Sequence, residues 1–329
     1  MYHSVRSILR RMLPGVLLGF LVLLAVSFIG DLRQVAETVR NFDWRVYPLA
    51  LLLTLVNYML RFYKWHFYLG QIGVKGIEWQ ESLRLFVGGF PLAVTPGKVG
   101  EALKAVWLNQ HSGVSVERGV SVVVAERLSD GLAVLLLSVL GVISYPQYWT
   151  VFVTILVFGL SFIVVSQFRS LAMWFLGIGE KIPGISKFVH NLREFYEGSS
   201  VLFKPLPTLI AVGLGTISWL WEGIGFYLIL LGLGLRPGIQ LAASAIFILA
   251  FSTIIGAVSA LPGGLGAAEA SIAGMLALVV GLNAALSAAA TLLIRLATLW
   301  FGVGLGLVVW FKYPYLLGLG GGHVAETKG

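Results

Sequence analysis

The chain has no cysteine among its 329 residues, and only 12% of them are Asp, Glu, Lys or Arg. The missing cysteines exclude disulfides, thiolate nucleophiles and cysteine-based metal sites. The shortage of charge excludes a soluble globular protein, because soluble domains carry roughly 25% charged residues. No polar segment is long enough to fold as a separate soluble domain. With 58% hydrophobic residues in long uncharged runs, the sequence predicts an all-α integral membrane protein.

The few charges favour one sign, with 23 Lys and Arg against 15 Asp and Glu, a net charge of +8. In membrane proteins such an excess lies in cytoplasmic loops, next to anionic lipid headgroups. Nucleic acid is not an expected partner, since no basic and aromatic patch lies outside the apolar runs. The five histidines are scattered, and no nucleotide-binding glycine loop, serine elbow or paired-aspartate metal motif occurs. We therefore expect no catalytic residues, no metal and no cofactor.

Six apolar runs are each long enough for a helix that crosses the hydrocarbon core, which takes roughly 20 residues. They cover about residues 12–29, 46–69, 116–143, 149–166, 208–233 and 284–311. The first run follows three arginines, and this basic flank predicts a cytoplasmic N-terminus. A cleaved signal peptide is the alternative for that run, although it lacks a clear small-x-small cleavage site.

The second run ends in a polar and aromatic cluster. We expect Lys64, Trp65 and His66 to anchor it at the membrane surface, where long cations reach outward and aromatic rings form a belt. Arg61 lies deeper, and the sequence leaves an anchoring and a functional role open for it. Farther along, apolar residues at helical spacing within a polar segment predict an amphipathic interfacial helix at about 185–203.

Two short stretches interrupt strongly apolar sequence: residues 95–101 read TPGKVGE and residues 262–269 read PGGLGAAE. Each contains Pro-Gly, a further glycine and then a glutamate. Each is followed by an arginine inside an apolar run, Arg127 and Arg295, which lie 31 and 33 residues after the proline. This agreement predicts a duplicated unit.

The arms around the first Pro-Gly are short, since segment 82–94 cannot cross a bilayer. They predict a re-entrant helical hairpin, which is tolerated where protein or a water-filled cavity surrounds the turn. Thr95 is suited to cap the returning helix before Pro96. An ordinary loop is the alternative. In the second unit, segment 239–260 is long enough to span by itself, so a re-entrant hairpin and two full spans both stay open.

Together these features predict one polytopic membrane domain over residues 1–329, with about six transmembrane helices plus two re-entrant helical hairpins in an inverted repeat. Repeat 1 covers about 46–143 and repeat 2 about 208–311. The crossings place both termini and the basic segments in the cytoplasm, in agreement with the positive-inside rule. Inverted repeats with broken helices are a recurrent plan of transporters, whose substrate site lies where the repeats meet.

Ionisable side chains within the spans are the main site candidates, because each costs at least ~2.5 kcal/mol to insert. With the two Pro-Gly turns they give a predicted substrate-binding set of Pro96, Gly97, Lys98, Gly100, Glu101, Lys104, Glu126, Arg127, Asp130, Glu222, Pro262, Gly263, Gly264, Glu269 and Arg295. No acid lies near Arg295 in sequence, so its counter-ion is expected to be Glu101, Glu222 or Glu269. Backbone donors at a helix start, with lysines nearby, suit a phosphate. A structural salt-bridge lattice, with glycines that serve only helix packing, is the alternative.

Three of these stretches resemble the lysylphosphatidylglycerol synthase transmembrane-domain family, which is the flippase part of the bacterial multiple peptide resistance factor and its stand-alone relatives. They are TPGKVGEALK at 95–104, ERLSD at 126–130, and LPGGLG at 261–266 with Glu269. The likeness covers about residues 12–312. It implies an integral membrane protein that translocates or binds an anionic or aminoacylated phospholipid, or a polyprenyl-phosphate lipid.

One departure limits the comparison. The full resistance factor carries a soluble aminoacyl-transferase domain after its membrane part, whereas this chain stops at Gly329. Synthesis of lysylphosphatidylglycerol by this polypeptide alone is therefore not expected.

These observations predict a membrane lipid flippase in the inner (plasma) membrane that binds a lipid headgroup in a polar cavity at the bilayer midplane. Its expected partner is a membrane phospholipid or a polyprenyl-phosphate lipid. Two alternatives stay open: an accessory subunit for glycosyl or aminoacyl transfer to lipid carriers, and an integral membrane transferase that uses the buried carboxylates. A partner glycosyl- or aminoacyl-transferase and a homo-oligomer stay open as well.

Overall fold

The computed structural model describes residues 31–95, 100–144 and 186–317, together with isolated positions within 17–28 and 149–161. In this part of the chain every regular element is a helix, which confirms the predicted all-helical class. Most of the predicted first and fourth spans, and the turn residues 96–99, lie outside the described residues.

Five helices precede the predicted interfacial segment: α1 (Leu32–Arg40), α2 (Tyr47–Gln71), α3 (Trp79–Gly88), α4 (Leu103–Ser112) and α5 (Val116–Ser144). Six more follow: α6 (Ser186–Leu202), α7 (Pro205–Gly232), α8 (Ile239–Val258), α9 (Ala267–Met275), α10 (Ala284–Arg295) and α11 (Phe301–Lys312). Short 3₁₀ turns lie at Phe90–Val94, Pro262–Gly264 and Pro314–Leu317, and π turns at Leu276–Val280 and Leu296–Trp300.

Four segments in the described part of the chain are long and apolar enough to cross a membrane: Pro205–Gly232, Ile239–Val258, Pro262–Val280 and Ala284–Lys312. The chain is therefore a multi-pass membrane protein. Helices α2 and α5 are also long, at 25 and 29 residues, but both carry charged side chains. The count of six spans and the two re-entrant hairpins stay predictions.

The polar segment near residue 190 does contain a helix, α6, within the predicted bounds. Arg118 of α5 pairs with two of its carboxylates, Glu194 at 2.9 Å and Glu197 at 3.0 Å. These pairs hold α6 against the start of α5. Its position at the membrane surface stays a prediction.

The two halves of the chain match in length and in packing. Helix α5 covers 29 residues from Val116, and α10, the π turn and α11 together cover 29 residues from Ala284, which lies 168 positions later. Helix α5 of the first half packs against α8 of the second half, and α11 of the second half packs against α3 of the first half. Helices α2 and α7 pack against each other. As a result, the 3₁₀ turns Phe90–Val94 and Pro262–Gly264 of the two halves are in contact.

The expected membrane-surface anchor at the end of α2 is wrong for two of its residues. Lys64 and Trp65 are both fully buried, with 0% of their surface exposed. Lys64 donates to Asp130 Oδ1 at 2.5 Å and to Ser129 Oγ at 3.1 Å. A cation that has a carboxylate partner inside the protein does not need to reach toward the membrane surface, and sequence alone does not reveal such a partner.

Candidate functional site

A cavity of about 170 Å³ lies where the two halves meet. Helices α2, α5, α7, α8 and α10 and both Pro-Gly regions contribute to its wall. Its polar lining consists of Tyr58, Arg61, Glu101, Lys104, Arg127, Trp219, Glu222, Ser252, Thr253, Arg295 and Thr298. Such a collection of charged groups among apolar helices is what a membrane site for a polar ligand requires.

In the second half, one carboxylate joins the Pro-Gly turn to the arginine that follows it in sequence. Glu269 Oε2 accepts the backbone N–H of Gly266 at 2.6 Å, which caps the start of α9. Its other oxygen accepts from Arg295 Nε at 2.5 Å, and Arg295 also donates to the Gly263 carbonyl at 3.1 Å. Of the three counter-ions considered for Arg295, the structure selects Glu269. With 0% of the Glu269 side chain and 13% of the Arg295 side chain exposed, this pair is locked into the turn.

The first half contains a matching but looser pair. Arg127 Nε lies 3.4 Å from Glu101 Oε2, and its Nη2 lies 3.7 Å from Asp130 Oδ2. Glutamate and arginine are 26 positions apart in both halves. Arg127, however, keeps 34% of its side chain exposed and makes longer contacts. It is the more available of the two arginines.

A second cation of the first half, Lys104, lies at the edge of the cavity. Its ammonium donates to Glu126 Oε2 at 2.8 Å and stands 4.1 Å from the centre of the Trp65 ring, a cation–π geometry. Phe86 adds a more distant ring at 5.2 Å. This apolar and aromatic shell explains why Glu126 is needed, because an unpaired ammonium would be costly there.

Asp130 is the centre of the third charged group. Lys64 pairs with one of its oxygens, and Arg61 Nη2 lies 3.4 Å from the other. Trp219 Nε1 donates weakly to Asp130 at 3.4 Å, and the Arg61 guanidinium lies over the Trp219 ring at 5.6 Å. Helices α2, α5 and α7 are thereby tied together beside the cavity.

Glu222 on α7 differs from the other carboxylates. It lines the cavity and is 6% exposed. Within the described residues it makes no ion pair within 4.0 Å and no hydrogen bond, while Arg61 and Arg295 act on it electrostatically at longer range.

The turns themselves depend on glycine. Gly263 and Gly264 have φ of 62° and 68°, a left-handed conformation that side chains rarely adopt. A Cβ on Gly264 would lie 2.9 Å from the Gly256 Cα. In the first turn, Thr95 Oγ1 accepts the Gly100 N–H at 3.0 Å. Thr95 therefore closes the first turn onto the residue five positions farther along the chain.

Several buried polar atoms near the first turn have no hydrogen-bond partner among the described residues: Arg61 Nε, Glu126 Oε1, Arg127 Nε and Asp130 Oδ2. Neither Glu269 nor Arg295 has such an atom. Because buried polar atoms are normally hydrogen-bonded, the ion pairs near the first turn are less completely satisfied than the pair of Glu269 and Arg295.

The predicted site residues fall into three groups. Glu101, Lys104, Arg127, Glu222, Gly263, Gly264 and Arg295 line the cavity. Glu126, Asp130 and Glu269 pair with cations of the lining, while Gly100 and Pro262 belong to the turns. Pro96, Gly97 and Lys98 lie outside the described residues.

Sequence reasoning missed three participants, Tyr58, Lys64 and Trp219, and left the role of Arg61 open. Tyr58 donates to the Thr298 carbonyl at 2.5 Å, within the π turn that follows Arg295. The available signal was the position of the two cations within the apolar run. Arg61 and Lys64 occupy successive turns of a long apolar helix, where a charged side chain can form a buried ion pair as readily as a surface anchor.

Comparison with known proteins gives one family. The family model described as "Lysylphosphatidylglycerol synthase TM region" matches residues 13–306. Two proteins of Methanothermobacter thermautotrophicus, both described as "UPF0104 membrane protein", are 27% and 25% identical to this chain. The first alignment covers 88% of this chain and 90% of the relative, and the second covers 89% and 92%. A UPF0104 membrane protein of Pyrococcus horikoshii is 24% identical over 92% of this chain and 97% of its own length.

Proposed function

The chain belongs to the lysylphosphatidylglycerol synthase TM region family, and on that premise we propose that it is a membrane lipid flippase. The cavity between the two Pro-Gly turns binds the headgroup of an anionic, aminoacylated or polyprenyl-phosphate lipid. The acyl or prenyl chain stays in the surrounding bilayer. The protein acts in the plasma membrane with both termini in the cytoplasm and performs no chemical step.

The observation that carries this proposal is the partly exposed Arg127 inside an otherwise buried ion lattice. A guanidinium presents several N–H donors in a fork that matches a phosphate group. Arg61 and Lys104 line the same cavity and add positive charge on the same side. In an apolar surrounding, these cations would hold a phosphate far more strongly than in water.

The carboxylates would serve two purposes. Glu101, Glu126 and Asp130 stabilise the cations while no lipid is bound. Glu222 has no cation within 4.0 Å in the described part of the chain, and it would accept the ammonium of an aminoacylated headgroup. Exchange of these ion pairs during transport would let the headgroup pass between the two turns.

The direct test is a headgroup-accessibility assay in proteoliposomes that contain a labelled phosphatidylglycerol, lysylphosphatidylglycerol or a polyprenyl phosphate. We expect Arg127→Ala to slow lipid movement at least tenfold. The matched control is Arg118→Ala, an arginine on the same helix whose partners Glu194 and Glu197 lie outside the cavity. It should keep its rate.

Unchanged lipid movement by a folded protein with both Arg127→Ala and Arg295→Ala would contradict the proposal. Lipid binding by the pure protein with no movement of any of the three lipids would instead favour an accessory subunit for glycosyl or aminoacyl transfer.

A further inference from the structure

Glu222 stands apart from the other charged groups around the cavity. Each of the other four carboxylates contacts a cation within 4.0 Å, as Asp130, Glu269 and Glu126 do through short contacts and Glu101 does at 3.4 Å. Glu222, with no such contact in the described part of the chain, projects from an apolar helix into the cavity wall.

The charged groups around the cavity form a cluster whose formal charges can be counted. Its described cations are Arg61, Lys64, Lys104, Arg127 and Arg295, and its carboxylates are Glu101, Glu126, Asp130, Glu222 and Glu269. Five charges of each sign cancel when all groups are ionised. When Glu222 carries a proton, the described cluster has one positive charge in excess. A phosphodiester has one negative charge, so the protonated cluster matches it.

The groups that face Glu222 do not satisfy it by other means. Helix α2 presents Arg61 and Tyr58, but the first pairs with Asp130 and the second donates to Thr298. Helix α10 presents Arg295, which is held by Glu269.

Helix α5 contributes Asp130, which has the same sign of charge as Glu222 and cannot act as its counter-ion. Helix α8 contains no charged residue and brings only Ser252 and Thr253 to the cavity. The carboxylates of α6 are paired with Arg118. A buried carboxylate in such a position is satisfied by a proton or by a cation that enters with the ligand.

We propose that Glu222 is a proton-binding site of the substrate cavity, and that one proton binds together with the phosphate of an anionic lipid. This inference rests on the proposed function. The proton removes the charge that would repel the phosphate, and release of the proton favours release of the lipid. Lipid binding thereby depends on pH without a separate ion site.

Calorimetric titration of the full purified chain in detergent with short-chain phosphatidylglycerol tests this coupling. Wild-type affinity should fall as pH rises, toward tenfold per pH unit where Glu222 is ionised in the free protein. Glu222→Gln mimics the protonated form, so its affinity should equal or exceed the wild-type value at low pH and stay constant as pH rises. Glu37→Gln, on the exposed face of α1, is the matched control and should titrate like the wild type.

A second measurement needs no variant. Titration of the wild type in two buffers of different ionisation enthalpy, at a pH where its affinity falls as pH rises, should show uptake of about one proton for each lipid bound. Binding without proton uptake, or an unchanged pH profile in Glu222→Gln, would overturn the coupling and leave lipid binding intact. Absence of binding at every pH would overturn the proposed function and the coupling together.

Discussion

The two Pro-Gly regions contain the same glutamate–arginine pair, but the two pairs differ in contact distance and in exposure. In both, a glutamate just after the turn meets an arginine 26 positions later. The pair of Glu269 and Arg295 is short, buried and shared with the backbone of its own turn. The pair of Glu101 and Arg127 is longer and leaves the guanidinium partly exposed. One copy bonds its arginine closely to the turn, whereas the other leaves its arginine partly exposed.

The surroundings explain the divergence. Arg127 shares Asp130 with Lys64 and Arg61, so no single carboxylate holds it tightly. Arg295 has Glu269 to itself among the described residues and gains a backbone carbonyl as well. The short hydrogen bonds of Arg295 hold its turn in place, while the longer and shared contacts of Arg127 leave donors that a phosphate can satisfy.

The largest expected effect comes from breaking the buried pair of Glu269 and Arg295. Arg295→Met should lower the free energy of unfolding by about 3–5 kcal/mol, because it leaves Glu269 buried without a counter-ion. Arg127→Met should lower it by less, because the contacts of Arg127 to Glu101 and Asp130 are longer, at 3.4 and 3.7 Å, and Asp130 keeps two other cations. Urea unfolding in detergent measures both. Equal losses in the two variants would remove the distinction between a structural and a functional copy.

Lipid binding should show the opposite order. Arg127→Gln should weaken binding of short-chain phosphatidylglycerol about 10- to 100-fold, since a charge-assisted hydrogen bond contributes roughly 1.5–3 kcal/mol. Arg295→Gln should weaken it less for the folded protein, because its donors are already engaged. Calorimetric titration at one pH gives both values, with Arg118→Gln as the control. A larger loss for Arg295→Gln would assign the phosphate to the second copy.

Backbone geometry gives the next effect. Gly264→Ala should destabilise the protein by about 1–3 kcal/mol, because it forces a side chain into the left-handed region and against Gly256. The control is Gly274→Ala at an open, exposed helical position, where alanine should stabilise by about 0.5–1 kcal/mol. Thermal unfolding compares the two variants. The same result in both would mean that Gly264 is not required by the turn.

The smallest effect concerns a polar cluster outside the spanning segments, where the arms of the first half meet the C-terminal end of the described chain. His111 Nε2 lies 3.1 Å from Glu81 Oε1, and the Tyr315 hydroxyl donates to the same oxygen at 2.7 Å. The bond to His111 is the main reason that the pKa of Glu81 falls from 4.5 to about 2. The bond to Glu81 raises the pKa of His111 above 6.5.

The sign of the pH effect follows from these shifts. Stabilisation through His111 is fully present below pH 6.5 and is lost as pH rises through the raised value of the folded state. Stabilisation through Glu81 is present above pH 4.5 and is lost as pH falls toward about 2. His111→Asn should therefore cost about 1 kcal/mol or less near pH 6, and nothing at high pH. Thermal unfolding between pH 5 and 9 measures this, and a cost independent of pH would contradict it.

Much of the fold was accessible from local sequence. The apolar runs predict helices, and α2, α5, α7 and α10 with α11 lie close to the predicted bounds. The cluster of α5 is visible because Glu126, Arg127 and Asp130 are neighbours on one helix. The counter-ion of Arg295 was narrowed to three candidates but not chosen. The choice depends on how closely the end of α10 approaches the start of α9, and spacing along the chain does not report that distance.

By itself, the sequence determined the membrane class, the helical character, the two Pro-Gly stretches and the arginine that belongs to each. These features rest on hydropathy and on spacing, which are properties of the chain read in order. The packing of distant helices was needed to show that Lys64 is a buried partner of Asp130, 66 positions away, that Arg127 is more open than Arg295, and that Glu222 lines the cavity without an ion pair among the described residues. Burial and pairing depend on which distant helices pack together, because a charge in an apolar surrounding is stabilised only by the groups that the fold brings within a few ångströms.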